Sequence, residues 1–495
     1  MTVRAVAGAA DHKTGGKTAM HDDPILYWNA VALEANRVSH TNGKNEQTGP
    51  CASARALAIV HLAMYDAFVG TDTGIAQNPY LPGPAAVSGA SIDAAVAAAA
   101  HLTLSKLFPS QKSTFNKKLA EAPLPSAGQA KADGTAFGLL VGQAILAERS
   151  GDPGIGDFGY EPSGKREAHR PDPDDAGQGF YAPFFGAQSS CFAVTVPHGL
   201  DPYPLLTSKA YLDAVREVRA KGIATEQMGT VNSGQRRRSE ETVIGLFWAY
   251  DGASGLGTPP RLYNQIVREV ATKHAPINTP AKNARLFALV NVAMADAGIL
   301  AWREKYRHDL WRPVLGVREH DESMGPTGVG HNTFDNDSDP TWLPCGAPST
   351  NRPGRKNVTP PFPAYPSGHA TFGAAAFQIT RLFYDKVAAL QHQPDDLFDG
   401  LTFVSDELNG VNTDNKGTVR PRHVRQFDGG LWEMIEENGR SRVYLGVHWV
   451  FDAFAVKNNG KPDLGKNIGG VPLGLKIAED IFASGMVPSP VGPLP

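Results

Sequence analysis

Three short segments carry residues that could act together on one small anion. The first is Lys305-Tyr-Arg-His-Asp-Leu-Trp-Arg312-Pro313, with two cations seven positions apart. Seven residues are about two helical turns, so Lys305 and Arg312 share a face if one helix runs through both. Pro313 disrupts such a helix where it stands. The plainer reading of this pair is a solvated basic face. The second segment is Pro366-Ser367-Gly368-His369, followed by ATFGAAAFQITRLFY. Ser367 stands where an N-cap belongs, and Gly368 lets a ligand approach the backbone. The free amides of a helix N-terminus bind oxyanions, and His369 beside them can take or give a proton. An ordinary capped helix with an incidental histidine is the alternative.

The third segment is Ser441-Arg442-Val-Tyr-Leu-Gly-Val-His448-Trp-Val-Phe-Asp452. His448 and Asp452 are four apart, so on a helix the carboxylate reaches the imidazole. A lone histidine in so apolar a run is otherwise a core residue. Together the segments offer Lys305, Arg312 and Arg442, two histidines, and few acids. A divalent cation needs carboxylates or thiolates around it, which these segments scarcely supply. Three permanent cations, a helix N-terminus and two imidazoles suit a tetrahedral oxyanion such as phosphate or vanadate.

The elements that must hold these residues are helical. Apolar spacing predicts helices over 52–69, 91–107 (capped by Ser91), 129–149, 208–221 and 260–274. A further helix is expected at 239–250, with Ser239 as its cap. Thr279-Pro280 opens a long one through NARLFALVNVAMADAGILAWREKYRH. Others are expected at 367–387, 439–456 and 473–484. Strand-like alternation is scarce. The expected fold is all-α, two packed four-helix-bundle-like halves with long loops, forming one globular unit. Residues 1–22 read as a flexible arm, 23–200 as the N-terminal helical half, and 201–495 as the C-terminal half carrying the site. The Pro-, Gly- and Asp-rich stretch 151–204 reads as a surface loop or a boundary.

Composition narrows the class. The 495 residues carry 47 Lys and Arg against 50 Asp and Glu, a net charge of −3. That balance argues against a nucleic-acid or polybasic membrane partner. Three cysteines, Cys51, Cys191 and Cys345, are too few and scattered for a disulfide framework or a Cys-rich zinc site. No stretch reaches roughly 18 consecutive apolar residues, and no signal peptide is visible at the N-terminus. The expectation is a soluble protein without a membrane association, cytoplasmic or exported by a non-standard route. The runs Arg236–Arg238 and Arg420, Arg422, Arg425 read as solvated loops, and Asp335-Asn-Asp-Ser-Asp339 as an acidic surface loop.

In their order, K-x6-R-P, PSGH and S-R-x5-H-x3-D resemble the tripartite signature shared by vanadium haloperoxidases and the phosphatidic-acid-phosphatase superfamily. SARALAIVHLAMYDAF, WAYDGASGLGTPPRLYNQI, PPFPAYPSGHATFG and GGVPLGLKIAEDIF are similar, more narrowly, to vanadium haloperoxidases of the fungal chloroperoxidase type. The resemblance runs from about residue 26 to 488. The loops at 160–200 and 318–355 diverge from it.

The resemblance implies an enzyme with vanadate as cofactor. It oxidises chloride or bromide with hydrogen peroxide to hypohalous acid, which halogenates small organic nucleophiles. His448 would bind vanadium, while Lys305, Arg312, Ser367, the Gly368 amide and Arg442 hold its oxygens. His369 would be the acid–base group and Lys305 would polarise the bound peroxide. Asp251 would pair with Arg442, and Asp452 would orient its histidine or its helix. Trp302 and Phe362 match the aromatic pair of the chloroperoxidase-like branch, whose algal bromoperoxidase counterpart has histidine at the Phe362 position. Such an apolar wall desolvates chloride; the alternative is that both rings only pack. Two rivals share the pocket: a soluble acid phosphatase with His448 as nucleophile, and a binding protein without turnover.

Overall fold

Thr279 and Pro280 begin the helix around which the chain is organised. In the computed structural model, which describes residues 23–125, 127–273, 278–384 and 398–494, it is preceded by nine others. Helices α1 (Pro24–Ser39), α2 (Pro50–Thr71), α3 (Ile92–Leu107), α4 (Lys112–Glu121) and α5 (Gln129–Glu148) come first. A long connection with the single turn α6 (Phe185–Gln188) leads to α7 (Lys209–Lys221), α8 (Ser239–Phe247) and α9 (Pro259–Lys273). Then come α10 (Pro280–His308), α11 (Pro313–Arg318), α12 (Gly368–Phe383), α13 (Gly430–Tyr444) and α14 (Gly470–Ser484). Between α12 and α13 lies an antiparallel ribbon, β1 (Leu401–Phe403) with β2 (Arg425–Phe427), Leu401 opposite Phe427.

Helix α10 forms where the sequence predicts it. Thr279 Oγ1 accepts the Lys282 amide at 3.3 Å, and Pro280 supplies a preset φ at the first helical position. From Leu286 to Lys305 every residue of α10 is buried, so the helix needs neighbours on all sides. It packs on α2 along one side and on α12 and α14 along another. Helices α3 and α5 flank α2, while α9, α13 and α14 flank α12. A single buried apolar cluster runs through helices on both sides of residue 200.

Small residues and buried amides fix the spacing. A Cβ on Gly470 would lie 2.5 Å from the Ser367 carbonyl, and one on Gly474 would lie 2.5 Å from that of Thr371. Helix α14 therefore touches the backbone of the first turns of α12, and no larger residue fits. Asn29 Nδ2 meets His61 Nε2 at 2.8 Å and Asn264 Oδ1 at 3.3 Å, and Asn264 exchanges hydrogen bonds with Asn291 at 2.8 and 3.0 Å. This ladder ties α1, α2, α9 and α10 through groups that would cost free energy if left unpaired.

Several expectations change. The connection 151–204 is exposed or half-buried over most of 151–180, as expected, but its later part is tied to the core: the buried carboxylate of Asp296 on α10 accepts the amides of Phe192, Ala193 and Val194 at 2.5 to 2.9 Å. Ser239 is the first helical residue, not the cap; the preceding Arg238 amide is satisfied by the Glu241 carboxylate at 2.7 Å. The helix expected at 439–456 lies instead at Gly430–Tyr444. The basic runs are only partly solvated, with Arg238 and Arg422 exposed as expected and the other arginines tied into the fold. Arg237 donates to the Lys221 and Ile223 carbonyls, Arg420 pairs with buried Glu407, and Arg425 pairs with Glu437. Asp335 is exposed, as expected, whereas Asp337 pairs with Arg216.

Two helices, α2 and α10, are long and apolar enough to cross a membrane by length and composition, a signal that counting unbroken apolar runs misses. In each, 94% of the apolar window is buried inside the protein. The arm at 1–22, His274 and the end of the helix expected at 367–387 lie outside the described residues.

Two buried histidines make the fold sensitive to acid. His61 donates Nδ1–H to the Leu57 carbonyl at 2.6 Å and accepts Asn29 at Nε2; His40 donates to the Asn36 carbonyl and accepts the Gly49 amide. Each is locked neutral, and burial pushes each down to about 4. The unfolded chain therefore takes up protons first, between about pH 6.5 and 4. Their stabilisation is complete above that window and is lost as pH falls through it, by roughly 3 kcal/mol per histidine. Urea unfolding at pH 7 and pH 4.5 should show the midpoint falling steeply in acid.

Candidate active site

The three segments meet at one end of a cleft. Asp251, Gly368, His369, Arg442 and His448 line its polar end; Pro50, Tyr181, Trp302, Pro361, Phe362 and Phe372 are part of an apolar wall. Lys305 and Arg312 stand behind that wall, 0% and 1% exposed.

Lys305 and Arg312 do not share a helical face. Helix α10 ends at His308, where Asp309 takes a left-handed conformation (φ 48°), and Arg312 caps the next helix, α11. They converge because the chain turns back. Arg312 donates to the Phe362 and Val447 carbonyls at 2.8 and 2.7 Å. Lys305 Nζ donates to the carbonyls of Pro363, Ala364 and Pro366 at 2.8, 3.1 and 2.6 Å, which occupies all three of its protons. Direct contact between Lys305 and a bound anion requires one of these bonds to be given up. Burial and the neighbouring Arg312 hold the Lys305 ammonium well below its ordinary range. Phe362 lies against both cations, 5.0 Å from Lys305 Nζ and 4.8 Å from the Arg312 guanidinium carbon.

Ser367 caps α12 as expected, its Oγ facing the Ala370 amide at 3.4 Å, so the helix N-terminus with Gly368 opens onto the cleft. A Cβ on Gly368 would sit 3.2 Å from the Trp302 ring, which keeps this backbone close to the aromatic wall. His369 directs Nε2 to the Ala249 carbonyl at 2.7 Å. A carbonyl only accepts, so Nε2 carries the proton and Nδ1 keeps the lone pair. Burial first, and then Arg442, pushes His369 down to about 3, against the pull of Asp251.

His448 and Asp452 meet, but not on a helix. Helix α13 stops at Tyr444, Gly446 takes φ 72°, and Asp452 ends a short 3-10 turn. His448 Nδ1 still lies 2.7 Å from Asp452 Oδ2, which also accepts the Trp449 amide at 3.0 Å. Nε2 of the same ring faces the donor Arg312 Nη1 at 2.9 Å. The proton is therefore on Nδ1, and Nε2 presents a lone pair. Burial, with Arg312 and Lys305 nearby, keeps this imidazole neutral. Burial also raises Asp452 to about 7, against the pull of Lys305 and Arg312.

Arg442 forks onto Asp251 at 2.6 and 3.0 Å, the pairing that the resemblance implied. What sequence reasoning missed is that one turn sets two of these partners. Ala249 supplies the carbonyl for His369 and Asp251 the carboxylate for Arg442, with Tyr250 between them at φ 45°. Tyr250 anchors the turn by accepting the Asp406 amide and donating to Gln265. Backbone carbonyls leave no residue-type signal. Tyr181 was missed as well, because it lies in the divergent loop.

The donors match a tetrahedral oxyanion. Arg312 Nη2 and Arg442 Nε are buried and lack hydrogen-bond partners among the described residues, an arrangement that an acceptor-rich anion relieves. Both carboxylates near the cleft are already engaged, Asp251 with Arg442 and Asp452 with His448, so a hard cation finds no free acidic cage. Vanadate fits this set.

Comparison with known proteins agrees. The profile of the vanadium chloroperoxidase N-terminal domain matches residues 13–189, and that of the second helical-bundle domain matches residues 285–471. A vanadium chloroperoxidase of Curvularia inaequalis is 36% identical over 588 aligned positions, covering 95% of this chain and 92% of that protein. The crystal structure of a bacterial vanadium-dependent iodoperoxidase is similar in fold, with TM-score 0.59 and 20% identity over 92% of this chain and 95% of that one. A holo-type bacterial vanadium-dependent chloroperoxidase gives TM-score 0.58 and 16% identity over 88% and 93%.

Asp452→Ala should free the His448 ring and weaken orthovanadate binding by roughly 10- to 100-fold in calorimetric titration. Asp452→Asn retains an acceptor oxygen and should lose less.

Proposed function

The chain belongs to the vanadium chloroperoxidase family, and from that premise we propose how its own residues perform the family's reaction. The protein is a vanadium-dependent haloperoxidase that oxidises halide with hydrogen peroxide. The observation that carries the residue assignment is the His448 tautomer: Nδ1–H held by Asp452 puts the lone pair on Nε2, which can ligate once it gives up its contact with Arg312 Nη1.

Vanadate, when bound, supplies a Lewis-acidic V(V) centre that activates peroxide without changing its own oxidation state. His448 Nε2 would hold the vanadium. Arg312, Arg442, Ser367 and the Gly368 amide would hold its oxygens, with Arg442 kept in position by Asp251. Lys305 contributes its charge from behind Phe362, and its hold on the 363–366 backbone positions Ser367. His369 takes the proton of the entering hydrogen peroxide at Nδ1, because Nε2–H is committed to Ala249. The burial that disfavours its charged form keeps it ready as a base in mild acid.

Trp302 and Phe362, 4.8 Å apart between ring centroids, exclude water on the halide side. Desolvated chloride is a stronger nucleophile than hydrated chloride, so the wall favours chloride as well as bromide. Hypohalous acid then leaves along the cleft and halogenates small organic nucleophiles. The phosphatase reading is not favoured, because the identity to a vanadium chloroperoxidase spans 95% of this chain.

Metal-stripped protein should oxidise bromide and chloride only after orthovanadate is added, and phosphate should compete with that activation. Failure to turn over halide, with phosphate-ester hydrolysis that vanadate inhibits, would make the protein a phosphatase. Phe362→His should lower chloride oxidation about tenfold or more relative to bromide, read as the ratio of the two kcat/KM values, through a polar ring in the wall.

A further inference from the structure

We propose that Tyr181 is a halogenation site of the protein itself, its ring carbon Cε1 taking halogen from hypohalous acid as the acid leaves the cleft. This rests on the haloperoxidase reading above.

Tyr181 is half-buried in the connection between α5 and α7 and lines the cleft together with His369 and His448. Its ring centroid is 5.9 Å from that of Trp302 and 6.1 Å from that of Phe362, so it extends the aromatic wall. The cleft is lined by no Met or Cys among the described residues, the side chains that an electrophilic halogen attacks most readily. Of the lining side chains, two have electron-rich carbon rings, Tyr181 and Trp302. Trp302 is only 1% exposed, with Phe362 and Phe372 against it and its indole N–H on the Tyr181 carbonyl at 3.3 Å. Tyr181 is therefore the more accessible target. The cleft histidines, halogenated at nitrogen, give the halogen up again to other nucleophiles, whereas a ring carbon retains it.

The ring is held in one orientation. Its hydroxyl donates to the Thr48 carbonyl at 3.3 Å and accepts the Ala52 amide at 3.4 Å. Gly49 presses on one edge: a Cβ there would lie 2.4 Å from Tyr181 Cε2. One ortho carbon is thus covered, the para position carries the main chain, and Cε1 is left. The oxygen lone pair directs the halogen to that carbon. The C–H bond at Cε1 breaks and a C–X bond forms. The halogen falls from +1 to −1, the ring loses two electrons, and the ring proton joins the departing hydroxide as water. Burial keeps the phenol protonated, so its intrinsic reactivity is modest. Its advantage is position, since it meets the acid before dilution into bulk solvent.

The test is turnover by the vanadate-loaded enzyme with peroxide and bromide, with excess free methionine capturing whatever escapes, followed by peptide mass spectrometry. A single bromine isotope doublet is expected on the Tyr181 peptide, enriched roughly tenfold or more over Tyr27 on α1 outside the cleft. Hypobromite added to vanadate-free protein should not reproduce that enrichment, and Tyr181→Phe should abolish the doublet. Normal bromide oxidation with an unlabelled Tyr181, equal labelling of Tyr27, or a doublet persisting in Tyr181→Phe overturns this proposal alone. Absence of bromide oxidation overturns it together with the haloperoxidase reading.

Discussion

Three basic side chains brought out of water at one place are the constraint around which this protein is built. Lys305, Arg312 and Arg442 are each at most 1% exposed. Charge buried to that degree persists only where other groups replace its hydration. The replacement here is chiefly main chain: five carbonyls, from Phe362, Pro363, Ala364, Pro366 and Val447, turn inward onto Lys305 and Arg312. Asp251 serves Arg442, the face of Phe362 lies against Lys305 and Arg312, and Arg312 Nη2 and Arg442 Nε keep no protein partner among the described residues. Irregular chain between the helices is thus a structural requirement, because carbonyls inside a helix are already engaged with its own amides.

The same constraint explains how far the sequence could be read. The capped start of α12 was legible because Ser367, Gly368 and the apolar run behind them act through local chemistry. Helix α10 was legible for the same reason, through Thr279, Pro280 and its long apolar pattern. The placement of His448 was not. Gly446 at φ 72° breaks the pattern that apolar spacing suggested, yet the i, i+4 partner Asp452 is reached across a turn instead. The pairing was right and the supporting element was wrong. Nor could spacing show that Lys305 and Arg312 meet through a reversal of the chain, or that Ala249 determines which nitrogen of His369 is free. Those contacts involve carbonyl oxygens, which every residue has. The family resemblance carried the roles of Asp251 and Arg442 further than periodicity could.

The two histidines of the site are differentiated by what holds them. His369 leans on a backbone carbonyl and His448 on a carboxylate, so both are neutral, but opposite nitrogens carry the lone pair, Nδ1 in one and Nε2 in the other. A carboxylate behind an imidazole raises its donor strength toward a metal. A neutral carbonyl does much less, which suits a group that must give up a proton again. Two identical side chains under the influence of the same arginines are in this way suited to different tasks.

Asp296 has a consequence for how such a chain can change. By holding the amides of residues 192 to 194, it ties the connection carrying Tyr181 to the central helix, and Trp302 and Tyr306 of that helix hold the Tyr181 carbonyl as a further anchor. Upstream of that anchor, insertions and replacements can reshape the mouth of the cleft while the helices and the anion-holding end keep their packing. The division of labour is that of a fixed tool with an exchangeable guard. Variation in which molecules reach the oxidant can therefore accumulate in one loop, without a new core having to be found for each variant.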